Sequence, residues 1–113
     1  MPYIEARVST KLDDKQKTDL KSAFGKALAL INKPEKYLMV GIEDDYDLYF
    51  GGEKLEKGAY ISVSLLGDAG TDAYNALTAD VCRIMLDVVG IPSDKVYVTF
   101  HPVKDWGWNG GLF

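Results

Sequence analysis

Apolar and polar positions along this chain follow two periods, and the same succession of periods occurs twice. Tyr3 to Val8 alternates with a period of two and uses aromatic and branched side chains, which predicts a strand. Asp13 or Asp14 then offers an N-cap, with Gln16 placed to complete a capping box. Leu20, Phe24, Ala27, Leu28 and Ile31 recur at helical spacing, and Lys15, Lys17, Asp19, Lys21 and Lys26 take other positions, so an amphipathic helix follows. It ends at Asn32-Lys33-Pro34, because proline disfavours helix for the residue before it, and Tyr37 to Ile42 reads as a second strand.

An acidic stretch of Glu43, Asp44, Asp45 and Asp47 reads as a solvated loop, and Phe50-Gly51-Gly52 as a turn. The pattern then restarts. Tyr60 to Leu66 is a strand closed by Gly67, and Asp72 is expected to cap a second helix whose stripe is Tyr74, Leu77, Val81, Ile84, Met85 and Val88. Gly90 suits the left-handed C′ position, and Lys95 to Phe100 supplies a returning strand. Two βαβ units in tandem predict an α+β fold, a four-stranded mixed sheet with two helices of about five turns on one face. Leu38-Met39-Val40 and Ile61 to Leu66 suggest strands apolar on both faces, and a chain this small has nothing of its own to cover the second face. An oligomer with its sheets facing an interior is expected.

The 113 residues, 47% of them apolar, suffice for one domain spanning residues 1–113 with its own core. A net charge of -4 gives no electrostatic basis for a nucleic-acid partner. No basic region followed by an apolar stretch opens the chain and no run is long enough to span a membrane, so a cytoplasmic protein is expected. Cys82, the single cysteine, lies in a helical apolar pattern and reads as a small core hydrophobe. His101, the single histidine, has no companion at ligand spacing, so metal binding is not expected.

Pro2 changes this picture. Cytosolic aminopeptidase removes an initiator methionine that precedes so small a residue, which leaves a secondary amine at the first position of a strand. An α-amino group titrates at about 7.7 to 8.0, and burial or a nearby ammonium lowers that value by disfavouring the cation. Such an amine can act as a base near neutral pH. While Met1 is attached, the same nitrogen is a tertiary amide with no basicity.

Further features line up in order. Lys33-Pro34 is followed by Tyr37, Phe50-Gly51-Gly52 is a glycine turn, and Leu66-Gly67 ends the third strand. Asp94-Lys95-Val96-Tyr97 leads into the fourth, and Gly107-Trp108-Asn109-Gly110 with Phe113 forms the tail. With Pro2, these features span essentially the whole chain, which resembles the macrophage migration inhibitory factor (MIF) family of the tautomerase superfamily. The resemblance implies a homotrimer, its three sheets forming a barrel around a channel, with an active site at each subunit boundary. It also implies cofactor-independent keto–enol tautomerisation of phenylpyruvate-type α-keto acids and of dopachrome. Pro2 would be the base, Lys33 and the backbone N–H at Leu66 would hold the substrate carboxylate, Tyr97 would come from a neighbouring subunit, and Trp108 and Phe113 would form an aromatic slot.

Departures from the family pattern bear on substrate preference. Thr99 stands where well-studied members carry a substrate-binding asparagine, and Trp106 replaces a smaller aliphatic residue at the rim. Lys57-Gly58-Ala59-Tyr60 occupies the place of a Cys-x-x-Cys found in some members, so thiol oxidoreductase chemistry is not expected, since it needs a second sulfur. Two other function classes follow from the same residues. In one, the protein is a cytokine-like signal, secreted by a non-classical route to act on a host receptor, and its tautomerase activity is vestigial. In the other, the domain mediates interactions and Pro2 is idle.

Overall fold

In the computed structural model, which describes residues 1–113, both βαβ units are present. The first consists of β1 (Pro2–Val8), α1 (Asp14–Ala27) and β2 (Met39–Glu43). Asp13 is the cap: the Gln16 N–H donates to its carboxylate at 2.7 Å, and the Asp13 N–H donates to the Gln16 amide oxygen at 3.0 Å. The predicted apolar stripe continues beyond α1 through a 3₁₀ turn, Leu28–Ile31, that Asn32 closes in the left-handed region at φ 55°. Asparagine tolerates that conformation better than most residues. After Pro34, Glu35–Tyr37 forms a second 3₁₀ turn, so β2 begins two residues later than the pattern of branched residues suggested.

A hairpin of β3 (Tyr49–Phe50) and β4 (Glu53–Lys54) turns through Gly51 and Gly52, both at positive φ. The second unit consists of β5 (Ala59–Leu66), α2 (Thr71–Val89) and β6 (Val96–Val103). Asp72 does not cap α2 as expected. Gly70 precedes the helix at φ 89°, and Asp72 lies in the first turn, where its charge suits the helix dipole. The loop before α2 is ordered by Asp68, which accepts the Gly70 N–H at 2.9 Å and the Tyr74 hydroxyl at 2.6 Å. Gly90 closes α2 at φ 69°, as predicted. β6 runs past Phe100 because its pairing with β5 continues to Leu66 opposite Val103. A last hairpin, β7 (Gly107–Trp108) and β8 (Gly111–Leu112), ends the chain.

The sheet order is β2-β1-β5-β6, with β1 parallel to β2, β5 parallel to β6, and β1 antiparallel to β5 at the centre. Parallel neighbours need crossovers of one hand, and this brings both helices to the same face. There Ile4, Ala6 and Val8 of β1 and Ile61, Val63 and Leu65 of β5 meet Leu20, Phe24, Leu77, Val81 and Met85 of the helices. Removing an aliphatic or aromatic side chain of this size from water contributes about 1.5–3 kcal/mol.

The opposite face corrects one expectation. β1 and β5 alternate strictly between buried and half-buried positions, and the half-buried set is Tyr3, Glu5, Arg7, Tyr60, Ser62, Ser64 and Leu66. This face is mainly polar and aromatic rather than continuously apolar, because serines separate Ile61, Val63 and Leu65. Tyr3 donates to Glu5 at 3.2 Å, and Glu5 pairs with Arg7 at 2.8 Å. Gly41, on the neighbouring strand, leaves room for the Tyr3 hydroxyl, since a Cβ there would lie 2.5 Å from it. Asp44 is more than solvated loop: it accepts the Leu12 N–H at 2.8 Å, and that bond holds its carboxyl below the ordinary value of 3.8.

Candidate active site

Antiparallel pairing sets Pro2 opposite Leu65, so the amino terminus lies at the end of β5. The Leu66 N–H donates to the Met1 carbonyl at 3.1 Å, and Met1 and Pro2 are both buried. Lys33 reaches the same corner from just beyond the 3₁₀ turn that follows α1. Its backbone N–H donates to the Leu28 carbonyl at 3.1 Å across the left-handed Asn32 turn, and its ammonium donates to the Leu66 carbonyl at 2.9 Å. The terminal amine is held below its ordinary value of 8.0, first by burial and then by the Lys33 charge, since both disfavour the cation.

A groove of about 790 Å³ opens over this corner. It is lined by Met1, Pro2 and Tyr3, by the stretch Lys36 to Met39, by Ser64, and by Trp106, Gly107 and Trp108. The 3₁₀ turn after Pro34 carries Tyr37 to the groove, and the final hairpin folds Trp108 against it. Three rings meet edge to face: Tyr37 and Trp108 at 5.7 Å, Tyr37 and Phe113 at 5.8 Å, and Trp108 and Phe113 at 5.9 Å. A bond of 2.8 Å from the Phe113 N–H to the Trp106 carbonyl closes the hairpin. The result is an aromatic slot built within one chain, with an amine of lowered basicity and an ammonium at one end. Such an arrangement can bind a flat anion and move a proton on it.

The predicted site residues fall into three groups. Pro2, Trp106 and Trp108 line the groove. Lys33, Leu66 and Phe113 do not line it but bond or pack against its corner, Lys33 and Leu66 around the amino terminus and Phe113 behind the slot. Tyr97 and Thr99 of the same chain lie elsewhere. Tyr97 stands opposite Tyr60 and Pro2 opposite Leu65, a separation of roughly 17 Å along β5 at about 3.3 Å per residue. Tyr97 packs on Phe50 at 5.4 Å, beside a small cavity of about 70 Å³. Thr99 is bonded on both sides, to the Tyr60 hydroxyl at 2.7 Å and to His101 Nε2 at 2.9 Å.

Sequence reasoning did not single out Tyr3, Lys36, Met39 or Ser64 for the site. Strand register brings three of them together, Tyr3 opposite Met39 on one side and Ser64 on the other. Lys36 arrives with the 3₁₀ turn. No group of three or more His, Cys, Asp or Glu side chains is gathered to hold a metal ion, and no helix is long and apolar enough to cross a membrane.

The family profile described as "Macrophage migration inhibitory factor (MIF)" matches residues 1–113. A macrophage migration inhibitory factor homolog from Trichuris trichiura is 29% identical over 96 residues, which is 83% of either chain. Among solved structures, Leishmania major MIF2 superposes with a TM-score of 0.93 at 29% identity, covering 100% of this chain and 97% of its own. The homologue from Prochlorococcus marinus superposes with a TM-score of 0.89 at 28% identity, covering 98% of each.

Proposed function

The chain belongs to the macrophage migration inhibitory factor family, and from that premise we propose that it is a cofactor-independent keto–enol tautomerase of phenylpyruvate-type α-keto acids, using the Pro2 amine as its base. One observation carries the reading: the buried start of β1 meets the Lys33 ammonium at the end of an aromatic slot.

Loss of Met1 is the activating step in this reading. It turns the Pro2 amide into a secondary amine in surroundings that already lower the basicity of an amine. It also removes the carbonyl that accepts the Leu66 N–H. The freed donor and Lys33 then hold the substrate carboxylate, a charge-assisted contact in a partly water-excluded corner. Pro2 nitrogen takes the enol proton and returns it to C3 as the carbonyl forms, or the reverse, so the reaction is an isomerisation with no net loss of atoms or electrons. The slot of Tyr37 and Trp108, backed by Phe113, receives the ring, with Trp106 narrowing its rim. The working assembly is a homotrimer, in which Tyr97 and Thr99 come from a neighbouring subunit; the 62% exposure of Tyr97 in the single chain supports this.

The test is phenylpyruvate tautomerisation by a preparation whose intact mass lacks Met1. General acid–base catalysis contributes about 10²–10⁴-fold, and Pro2→Gly is expected to lose activity of that order. A second reading is a secreted signal with vestigial activity; what favours it is only that the relatives carry the name of a factor acting on macrophages. Absence of turnover by the processed protein would overturn the enzyme reading and leave that one.

A further inference from the structure

We propose that Lys36 is a second anion-recognition residue of this groove, selecting α-keto acids that carry another carboxylate at the end far from the keto acid group. This rests on the tautomerase reading for the near end of the substrate, where Lys33 and the Pro2 amine act. The far end is argued from the groove itself.

Apart from the terminal amine, Lys36 is the only charged group in the groove lining, which contains no carboxylate. Lys36 makes no ion pair and no hydrogen bond, which is also true of Lys11, Lys21, Lys26, Lys57, Lys95 and Lys104; what sets it apart is its place in the groove lining. The adjacent carboxylate of Glu35 is directed away from the groove: it covers Gly25 on α1, filling the space a Cβ there would need. The Lys36 ammonium lies instead 5.3 Å from the centroid of the Tyr37 ring, the ring that Trp108 and Phe113 contact to form the slot. A cation at that distance is drawn to the ring face, which favours its position at the slot.

Its backbone is equally constrained. Pro34 is extended, and the Leu38 N–H donates to the Glu35 carbonyl at 2.9 Å to close the 3₁₀ turn that carries Lys36. Lys33 and Lys36 thus leave one short segment in different directions, Lys33 to the Leu66 carbonyl beside the amino terminus and Lys36 to the slot. A flat molecule with its keto acid at Lys33 and its ring between Tyr37 and Trp108 would present its distal substituent to Lys36. A carboxylate there gains an ion pair in place of an unpaired cation. Because Lys36 is exposed, solvent screens the gain, which shows as preference rather than as an absolute requirement.

The experiment compares phenylpyruvate with 4-carboxyphenylpyruvate on the Met1-free protein and on Lys36→Gln and Lys36→Arg. The ratio of kcat/KM for the carboxylated over the plain substrate should fall about three- to fivefold in Lys36→Gln, the upper part of the range of an exposed ion pair. It should be retained in Lys36→Arg and shrink in the wild type as salt is raised. A ratio that does not move in Lys36→Gln overturns the proposal. Calorimetric binding of 3-phenylpropanoate and its 4-carboxy derivative, which lack the keto group, gives the same comparison without turnover. Protein that turns over neither substrate yet binds the diacid more tightly through Lys36 refutes the tautomerase reading and keeps the subsite. Equal binding of the two acids by wild type and Lys36→Gln refutes the subsite alone.

Discussion

In the proposed reaction Lys33 meets two demands with one ammonium, anchoring the substrate carboxylate and lowering the basicity of the neighbouring amine. Its position is set locally, by the left-handed Asn32 before it and by the carbonyl of Leu66 that receives it. Lys33→Ala should therefore change two observables. A hydrogen bond to a charged group contributes about 1.5–3 kcal/mol, so kcat/KM for phenylpyruvate should fall roughly 10- to 100-fold, mostly through KM. The acid limb of the pH–rate profile should also shift to higher pH, since the base must be unprotonated to act and its conjugate acid would lose a repelling neighbour. That shift should be partial, because burial, the larger of the two causes that lower the Met1 amine in the same corner, remains in the variant. A profile that keeps its limb while KM rises would confine Lys33 to binding. The pairing of Lys33 with Pro34 and the downstream Tyr37 was visible in the sequence through family resemblance alone; by composition it is a solvated lysine at a helix end.

At the scale of elements, the loop between β5 and α2 connects the site to the core. Leu66 offers one backbone group to Met1 and the other to Lys33, and the Gly67 N–H donates to the Val103 carbonyl at 2.8 Å. Beyond it, the Tyr74 hydroxyl donates to Asp68 and accepts the Ala69 N–H at 3.1 Å, while its ring stacks on Phe100 at 4.5 Å. Tyr74→Phe keeps the stack and loses both hydroxyl bonds, so Tm should drop by about 4–8 °C, the equivalent of about 1 kcal/mol in a domain of this size. The pH dependence has a definite sign. The Tyr74 hydroxyl and the Gly70 N–H hold the Asp68 carboxyl below its ordinary value of 3.8. A depressed carboxyl contributes stability that is present above 3.8 and is lost as pH falls through the lower folded value. The difference in Tm between wild type and variant should be widest above that value and narrow in stronger acid. The helical period had marked Tyr74 only as an apolar stripe position, because a period reports which face a residue is on and not what its hydroxyl meets.

At the scale of the whole molecule, one chain supplies the buried amino terminus, the Lys33 ammonium and the aromatic slot but leaves Tyr97 on a distant part of the sheet. Met39, Tyr49 and Tyr97 are 69%, 66% and 62% exposed, and Met39 and Tyr97 stand on the two edge strands of the sheet, where neighbouring subunits would meet them in the proposed trimer. Sedimentation equilibrium should return three times the 12.5 kDa mass of the chain. Tyr97→Asp, which sets a charge in the proposed contact, should shift the protein toward monomer and reduce turnover together. A Tyr97→Asp monomer with full activity would make the single-chain groove self-sufficient.

The order of elements, the two amphipathic stripes, the Asp13 capping box and the Gly90 helix end were all legible in the sequence, because each depends on residues within a few positions of one another. Register was not. Hydrophobic alternation specifies which face a strand buries, but it leaves open which pair of residues lies opposite, and pairing Pro2 with Leu65 is what brings the amino terminus to Leu66 and Lys33. Nor did the sequence reveal that the strand face away from the helices is polar, that a 3₁₀ turn carries Lys36 to the groove, or that the last hairpin closes Trp108 and Phe113 onto Tyr37. Those facts rest on contacts between segments far apart in the chain, and only the folded backbone determines them.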